Sequence, residues 1–246
     1  MKLNSVIISG GGTGGHIFPA LAIADQIKAR NPAATILFVG AEGKMEMEKV
    51  PQAGYEIVGL PIVGLQRKLT LKNLLLPFKL VQSLMKAMRI LRRFKPDLVI
   101  GVGGYASGPT LQMAQLLGIP TLLQEQNSFA GKTNQLLAKK AKAICVAYPN
   151  MQRFFPAEKI YLTGNPLRAN LQMSLPELKS EAAAFFGLQM NKPTLFVMGG
   201  SLGAKTLNVA LRAAVSDLTN EGIQVIWQCG KSYQAELSTF EQQLPE

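Results

Sequence analysis

Short apolar runs alternate along the chain with longer segments of helical period. The first run, SVIIS (5–9), is rich in β-branched residues and closed by glycines, which predicts a buried strand. ALAIADQIKAR (20–30) predicts a helix with Pro19 near its first turn. ATILFVG (34–40), DLVIGVGG (97–104), PTLLQEQN (120–127) and KAICVAY (142–148) continue the strand series. KIYLTGNPLR (159–168) reads as a last strand running into a turn, so a domain boundary is expected near residue 168. Beyond it LPELKSEAAAFFGL is helical, PTLFVMGG (193–200) a strand and SLGAKTLNVALRAAVSDL a helix. IQVIWQCG is again a strand and SYQAELSTFEQQL a helix. Strands alternating with helices make parallel βαβ units, so the fold class is α/β. Two Rossmann-like parallel-sheet domains are expected, 1–168 and 169–246, the second incomplete because it holds so few strands.

The segment TLKNLLLPFKLVQSLMKAMRILRRF reads as one amphipathic helix. Lys72, Lys79, Lys86 and Arg93 recur every seven residues and form a basic stripe flanked by Leu75, Leu76 and Leu80. Leu74, Phe78, Val81, Met85 and Met88 fall on the opposite side and are expected to face the core. Pro77 belongs in a first turn or else breaks the pattern. Charge sharpens this picture. The net charge is +11, and no acidic residue stands between Glu56 and Asp97. Apolar residues beside a basic stripe suit the surface of an anionic bilayer. Nucleic acid is the other anionic partner, but Phe78 and Phe94 are the segment's only aromatics and no nucleic-acid motif occurs, so it is set aside.

Bulk composition bounds the rest. A hydrophobic content of 48% in 246 residues supplies one large or two small cores. Cys145 and Cys229 lie far apart in apolar runs, with no CxxC partner or nearby histidine. They are expected to be buried, reduced thiols, as in a cytosolic protein. The run before the first glycines is too short for a signal-peptide core, and none reaches the roughly 18 apolar residues of a spanning helix. A soluble or peripheral protein is expected.

Strand, glycine loop, helix occurs three times: GGGTGGH (10–16), GVGGYASGP (101–109) and GGSLGA (199–204). Glycine lets ligand atoms approach the backbone, and the helix behind it presents free N–H groups and a positive dipole end. Three such loops point to phosphate-ester ligands. The full P-loop pattern, GxxxxGK followed by Ser or Thr, does not occur. Gly10, Gly12 and Gly15 satisfy GxGxxG, but the acid a dinucleotide fold wants after its second strand, Glu42, comes late. No DxD or His/Cys cluster occurs, so no metal or other cofactor is expected and helix N-termini must supply positive charge.

GGGTGGHIFPALAIA, GVGGYASGP, QEQNSFAGKTNQLLA, TGNPLR and GGSLGAKTLN, in this order, resemble the MurG family of glycosyltransferases. The resemblance implies a GT-B fold, two Rossmann-like domains facing a cleft. It implies inverting, metal-independent transfer of N-acetylglucosamine from UDP-GlcNAc to the muramyl C4 hydroxyl of lipid I, forming lipid II for peptidoglycan. It implies a peripheral protein on the cytoplasmic face of the bacterial inner membrane, working beside other cell-wall synthesis and division proteins. The family's second domain continues past residue 246, so a C-terminally truncated chain is expected, lacking the acid that grips the donor ribose and the glutamines near the sugar.

With that chemistry the candidate residues take roles. His16 is the one histidine, and with an unperturbed pKa near 6.5 it can accept a proton at neutral pH. Glu125 in QEQN is the rival base, and it could instead orient acceptor groups. Thr13, Gly14 and Gly15 would line the cleft, with Tyr105 and Ser107 on the acceptor side. Asn127 and Asn134 suit sugar hydroxyls, Arg168 could reach UDP, and Ser201 and Asn208 would meet the donor. Two other classes stay open at this point: a nicotinamide-dependent oxidoreductase, and a sugar-nucleotide or lipid-binding module without turnover.

Overall fold

The computed structural model describes residues 3–62, 76–168, 175–200, 203–230, 233 and 240. The chain divides into two units, Met1–Gln172 and Met173–Glu246.

The first unit is built on one parallel sheet of seven strands: β1 (Ser5–Ser9), β2 (Thr35–Ala41), β3 (Glu56–Leu60), β4 (Leu98–Gly101), β5 (Thr121–Glu125), β6 (Ala143–Val146) and β7 (Ile160–Leu162). Their spatial order is β3-β2-β1-β4-β5-β6-β7. Helices α1 (Gly14–Arg30), α2 (Glu46–Gln52), α3 (Leu76–Phe94), α4 (Ser107–Leu116) and α5 (Lys132–Leu137) connect them. The strands read as unbroken apolar runs because both faces of the sheet are covered. Val6, Ile8, Ile36 and Phe38 pack with Ile17, Leu21 and Ala24 of α1 and Val50 of α2. Ile7, Leu37, Val39 and Val99 pack on the opposite side with Ala87 and Leu91 of α3, Leu111 of α4 and Leu137 of α5. Each such fully buried aliphatic side chain contributes roughly 1.5–3 kcal/mol of transfer free energy.

The second unit holds α6 (Leu175–Phe185), β8 (Thr194–Met198), α7 (Lys205–Asn220) and β9 (Gln224–Gln228). β8 and β9 are parallel, paired from Thr194↔Gln224 to Met198↔Gln228, and α7 is the crossover that parallel pairing requires. Leu211 and Val215 of α7 are buried. The α/β class expected from the strand–helix alternation is what both units show.

The structure departs from the sequence reading in several places. β3 and α2 were not expected. The α1 helix begins at Gly14, so both glycines and His16 lie in its first turn rather than in a bare loop. Most of SYQAELSTFEQQL lies outside the described residues. Cys145 and Cys229 are free thiols but half-buried rather than buried.

The α3 helix shows a larger departure. Phe78, Val81 and Met85, expected to face the core, are 74%, 54% and 50% exposed. The face that packs is Ser83, Ala87 and Leu91, spaced every four residues. Small side chains there let α3 come close to its neighbours, so the bulky apolar positions are turned outward. Met88 is half-buried, as are Lys79 and Lys86. Lys86 pairs with Glu42 at 2.8 Å, so it belongs to the edge of the packed face and not to a free basic stripe. The outward stripe is instead Phe78, Val81, Met85, Arg89 and Arg92, apolar at its start and basic at its end. Leu80 and Arg93 are exposed. Lys72, Leu74 and Leu75, and the side chain of Leu76, lie outside the described residues. Pro77 occupies the second helical position, where its missing N–H costs nothing.

Candidate functional site

The strand order reverses at β1, whose neighbours β2 and β4 lead to opposite halves of the sheet. In open α/β sheets the crevice at the carboxyl ends of such strands is where ligands bind. A cleft of about 490 Å³ opens there. Gly11, Gly12 and Thr13 line it from the loop after β1, His16 from the first turn of α1, and Gly103, Gly104 and Tyr105 from the loop after β4. Glu125 and Asn127 close it from the end of β5, with Gly131, Lys132, Thr133 and Asn134 from the start of α5.

The two glycine loops interlock through their backbones. Gly11 N donates to Gly103 O at 3.3 Å. Gly103 has φ +90, and a Cβ there would stand 2.9 Å from His16 Nε2 and Cδ2. The imidazole therefore rests on bare backbone, an approach that only glycine permits. The Thr13 hydroxyl lies 3.3 Å from His16 Nδ1. Thr13 is the N-cap of α1 with an extended backbone, and its carbonyl accepts from the amides of His16 and Ile17. Burial lowers the His16 pKa, against the opposing pull of the Glu125 carboxylate, the Gly11 carbonyl and the Glu46 carboxylate. The ring is thus neutral near pH 7 and able to accept a proton.

Because the folded pKa lies below the unfolded one, the stability that His16 contributes is complete above about pH 6.5 and declines as pH falls through that value. Denaturant titrations between pH 7 and 5 are expected to show a decline in the wild-type chain that is shallower in His16→Gln. Parallel declines would contradict the lowered pKa.

Glu125 is buried, and its carboxylate accepts four hydrogen bonds. Oε1 takes the Asn127 backbone amide and Asn127 Nδ2, both at 3.1 Å. Oε2 takes the Gly131 amide and Asn134 Nδ2, both at 3.0 Å. All four lone-pair directions are in use, so this carboxylate has no ready seat for a further proton. It organises the amides around it. Asn134 is 2% exposed, and its buried Oδ1 has no hydrogen-bond partner among the described residues.

The other candidates are placed unevenly. Tyr105 is half exposed at the cleft, whereas Ser107 is fully buried at the start of α4. Gly14 and Gly15 lie behind the cleft in the first turn of α1, whose leading N–H groups lack intrahelical acceptors. Arg168 stacks its guanidinium 4.6 Å over the Phe18 ring, one turn from the glycine loop. In the second unit Asn208 is buried. Its Nδ2 donates to Cys229 O at 2.9 Å and its Oδ1 accepts from Trp227 Nε1 at 3.1 Å, so each end of the amide is tied to β9 or the residue after it through one of its two hydrogen-bonding positions. Ser201 lies outside the described residues.

Sequence reasoning passed over Glu46. Its carboxylate takes the Gly12 amide at 2.8 Å and fills the space beside Gly11, where a dinucleotide's pyrophosphate would have to approach. The first loop is therefore not an open phosphate cradle, which removes the support for a nicotinamide site. Glu42, the acid nearest the end of β2, is engaged by Lys86.

Residues 6–146 match the glycosyltransferase family 28 N-terminal domain, and residues 194–245 match the glycosyltransferase family 28 C-terminal domain. The chain belongs to glycosyltransferase family 28. Family members of known name are close in sequence. One from Flavobacterium psychrophilum, named UDP-N-acetylglucosamine--N-acetylmuramyl-(pentapeptide) pyrophosphoryl-undecaprenol N-acetylglucosamine transferase, is 54% identical over 240 residues, covering 98% of this chain and 65% of the relative. Its namesake in Bacteroides thetaiotaomicron is 58% identical over 229 residues, covering 93% and 61%. The chain thus spans less than two thirds of the length of these relatives. The crystal structure of Acinetobacter baumannii MurG superposes with a TM-score of 0.65 at 35% identity, covering 87% of this chain and 58% of that one. The UDP-GlcNAc 2-epimerase from Neisseria meningitidis shares the fold, with a TM-score of 0.65 at 13% identity.

Proposed function

We propose that this family 28 chain is part of an enzyme that transfers N-acetylglucosamine from UDP-GlcNAc to the C4 hydroxyl of the muramyl sugar of an undecaprenyl-pyrophosphoryl acceptor. The observation that carries this reading is the neutral imidazole of His16 held in the switch-point cleft, with the Glu125-organised amides across from it. In the reaction the acceptor O–H proton passes to an imidazole nitrogen, and the hydroxyl oxygen forms the new bond to the anomeric carbon. The bond from that carbon to the UDP oxygen breaks, and UDP leaves with the electron pair. Attack from the face opposite UDP inverts the anomeric centre. Asn134, Asn127 and Tyr105 border the cleft and are the candidate partners of the acceptor's sugar hydroxyls in this reading. Ser201 and Arg168 are the remaining donor-side candidates of this reading.

The deciding experiment is transfer of radiolabelled N-acetylglucosamine from UDP-GlcNAc to a lipid I analogue, by this chain and by a version extended to the length of its relatives. Transfer by the extended chain supports the reading; its absence from both folded proteins sinks it. A neutral base with a lowered pKa also places the acid limb of kcat/KM below pH 6.5, measurable in a rate profile from pH 5 to 8.

The same reading includes docking to the cytoplasmic face of an anionic membrane. No helix among the described residues is long and apolar enough to cross a bilayer. The outward stripe of α3 supports surface attachment: Phe78, Val81 and Met85 offer apolar area, and Arg89 and Arg92 offer charge. Each basic residue near such a surface contributes about 1 kcal/mol, so changing Arg89 and Arg92 together to alanine is expected to weaken binding to phosphatidylglycerol vesicles by about 30-fold. Lys86→Ala should have a much smaller effect, because that ammonium is already paired. Sedimentation of the two variants with vesicles checks both, and equal effects would remove the stripe from the docking surface.

A further inference from the structure

Glu46 is 1% exposed, yet among the described residues it has no salt-bridge partner. Its charge is held by backbone amides instead. Oε2 accepts from Gly12 N at 2.8 Å, and Oε1 accepts from Ala41 N at 2.9 Å. One side chain thus bridges the glycine loop after β1 and the last residue of β2. The loop is folded over this head group. Gly11 has φ +142, and a Cβ there would run into the carboxylate carbon, so the approach depends on a bare backbone. The clamped segment leads directly to the imidazole. The Gly11 carbonyl hydrogen-bonds the His16 ring, and Thr13, next after Gly12, brings its hydroxyl within 3.3 Å of Nδ1. A buried ion without a counter-charge is costly to desolvate, and two charge-assisted hydrogen bonds offset that cost only while both amides stay in place. The carboxylate therefore resists any shift of the loop.

We propose that Glu46 is a positioning residue for the transfer reaction: its buried carboxylate clamps the first glycine loop to the end of β2 and so fixes where the His16 imidazole stands. The meaning of the clamp for catalysis rests on the transferase reading, whereas the clamp itself can be measured without turnover. Glutamine at position 46 keeps the size but turns an N–H₂ donor toward one of the two amide donors. Aspartate keeps the charge but is one methylene short of bridging both.

The test uses the fact that His16 is the only histidine in the chain, so its ring resonances in a proton–carbon correlation spectrum are unambiguous. In Glu46→Gln the ring signals are expected to move, the titration midpoint to fall further as an opposing carboxylate is lost, and Gly12 amide exchange to quicken. The turnover number should drop by about 100-fold, the scale of a misplacement near 1 Å, with KM for UDP-GlcNAc nearly unchanged. Glu48→Gln, on the exposed side of the same helix, should leave the His16 signals where they are. If Glu46→Gln does not fold, Glu46→Asp takes its place, with the ring signals again expected to move. Unmoved His16 signals in the folded variant, whatever its melting temperature, overturn the proposal. Moved signals together with no sugar transfer by the folded wild-type chain or by its extended version uphold the clamp and overturn the transferase reading alone.

Discussion

In the proposed transfer, replacing His16 with alanine in the extended chain is expected to lower the turnover number by about 10²–10⁴-fold, the usual range for removing a general base, while affinity for UDP-GlcNAc stays close to wild type. On the transition-state scale this is a loss of about 3–5 kcal/mol. The argument is geometric before it is electrostatic. The imidazole lies on the Gly103 backbone at the rim of the cleft, tethered by Thr13, and burial keeps it uncharged at neutral pH. The alternative base, Glu125, has every lone-pair direction occupied by an amide. Steady-state kinetics with donor and acceptor varied separately would check this, beside equilibrium binding of UDP-GlcNAc. Near-normal turnover in the folded variant would exclude His16 as base.

Glu125→Ala is expected to act on stability as well as rate. It removes the shared acceptor of four N–H groups. The Asn134 amide is 2% exposed and would lose its strongest partner, at about 1–3 kcal/mol for an unsatisfied buried donor. Asn127 and Gly131 are exposed and can turn to water, so their share is small. A total of about 2–4 kcal/mol follows, which shifts the melting temperature of a unit of this size by about 5–15 °C. Turnover should fall with it, because Asn127, Gly131 and Asn134 are no longer held in one arrangement. Calorimetry with parallel kinetics separates the roles. If Glu125→Gln abolishes turnover as completely as His16→Ala, melts at the wild-type temperature and flattens the acid limb, then Glu125 is the base and His16 the organiser.

The strands around the cleft were legible because a doubly covered parallel sheet needs long apolar runs, as in SVIIS and TILFVGA, and the glycines after them mark the turns. The β3 strand was not legible: EIVGL begins with an exposed glutamate and carries a glycine. The α2 helix escaped for a related reason, since seven residues with Pro51 near their end leave too little periodicity to read. Glu46 was lost with it, because a carboxylate in an acidic, methionine-rich stretch looks like a solvated surface charge. A glutamate a few residues beyond an apolar strand of a glycine-loop fold is the one signal that could have raised it. The orientation of α3 failed differently. Large apolar residues were assigned to the core, but the helix packs through Ser83 and Ala87, whose size rather than hydrophobicity sets the contact. The cleft was legible residue by residue at His16, Glu125, Asn127 and Asn134, while their joint hydrogen bonding appears only once β5 and α5 are brought together.

The pairing of β1 with β4 also governs how the molecule comes into being. Val6 finds Leu98 across a chain separation of 92 residues, so the middle of the sheet cannot close until the chain has been synthesised past Gly101. At about 5–20 residues per second that leaves β1, whose Val6, Ile7 and Ile8 are fully buried in the folded unit, waiting for about 5–20 s on the ribosome, with only β2, β3, α1 and α2 to shelter it. The same closure brings Gly11 against Gly103 and seats His16. A nascent chain that has not completed its central ladder therefore has no cleft, and release of a half-folded unit with a working site is ruled out by its topology.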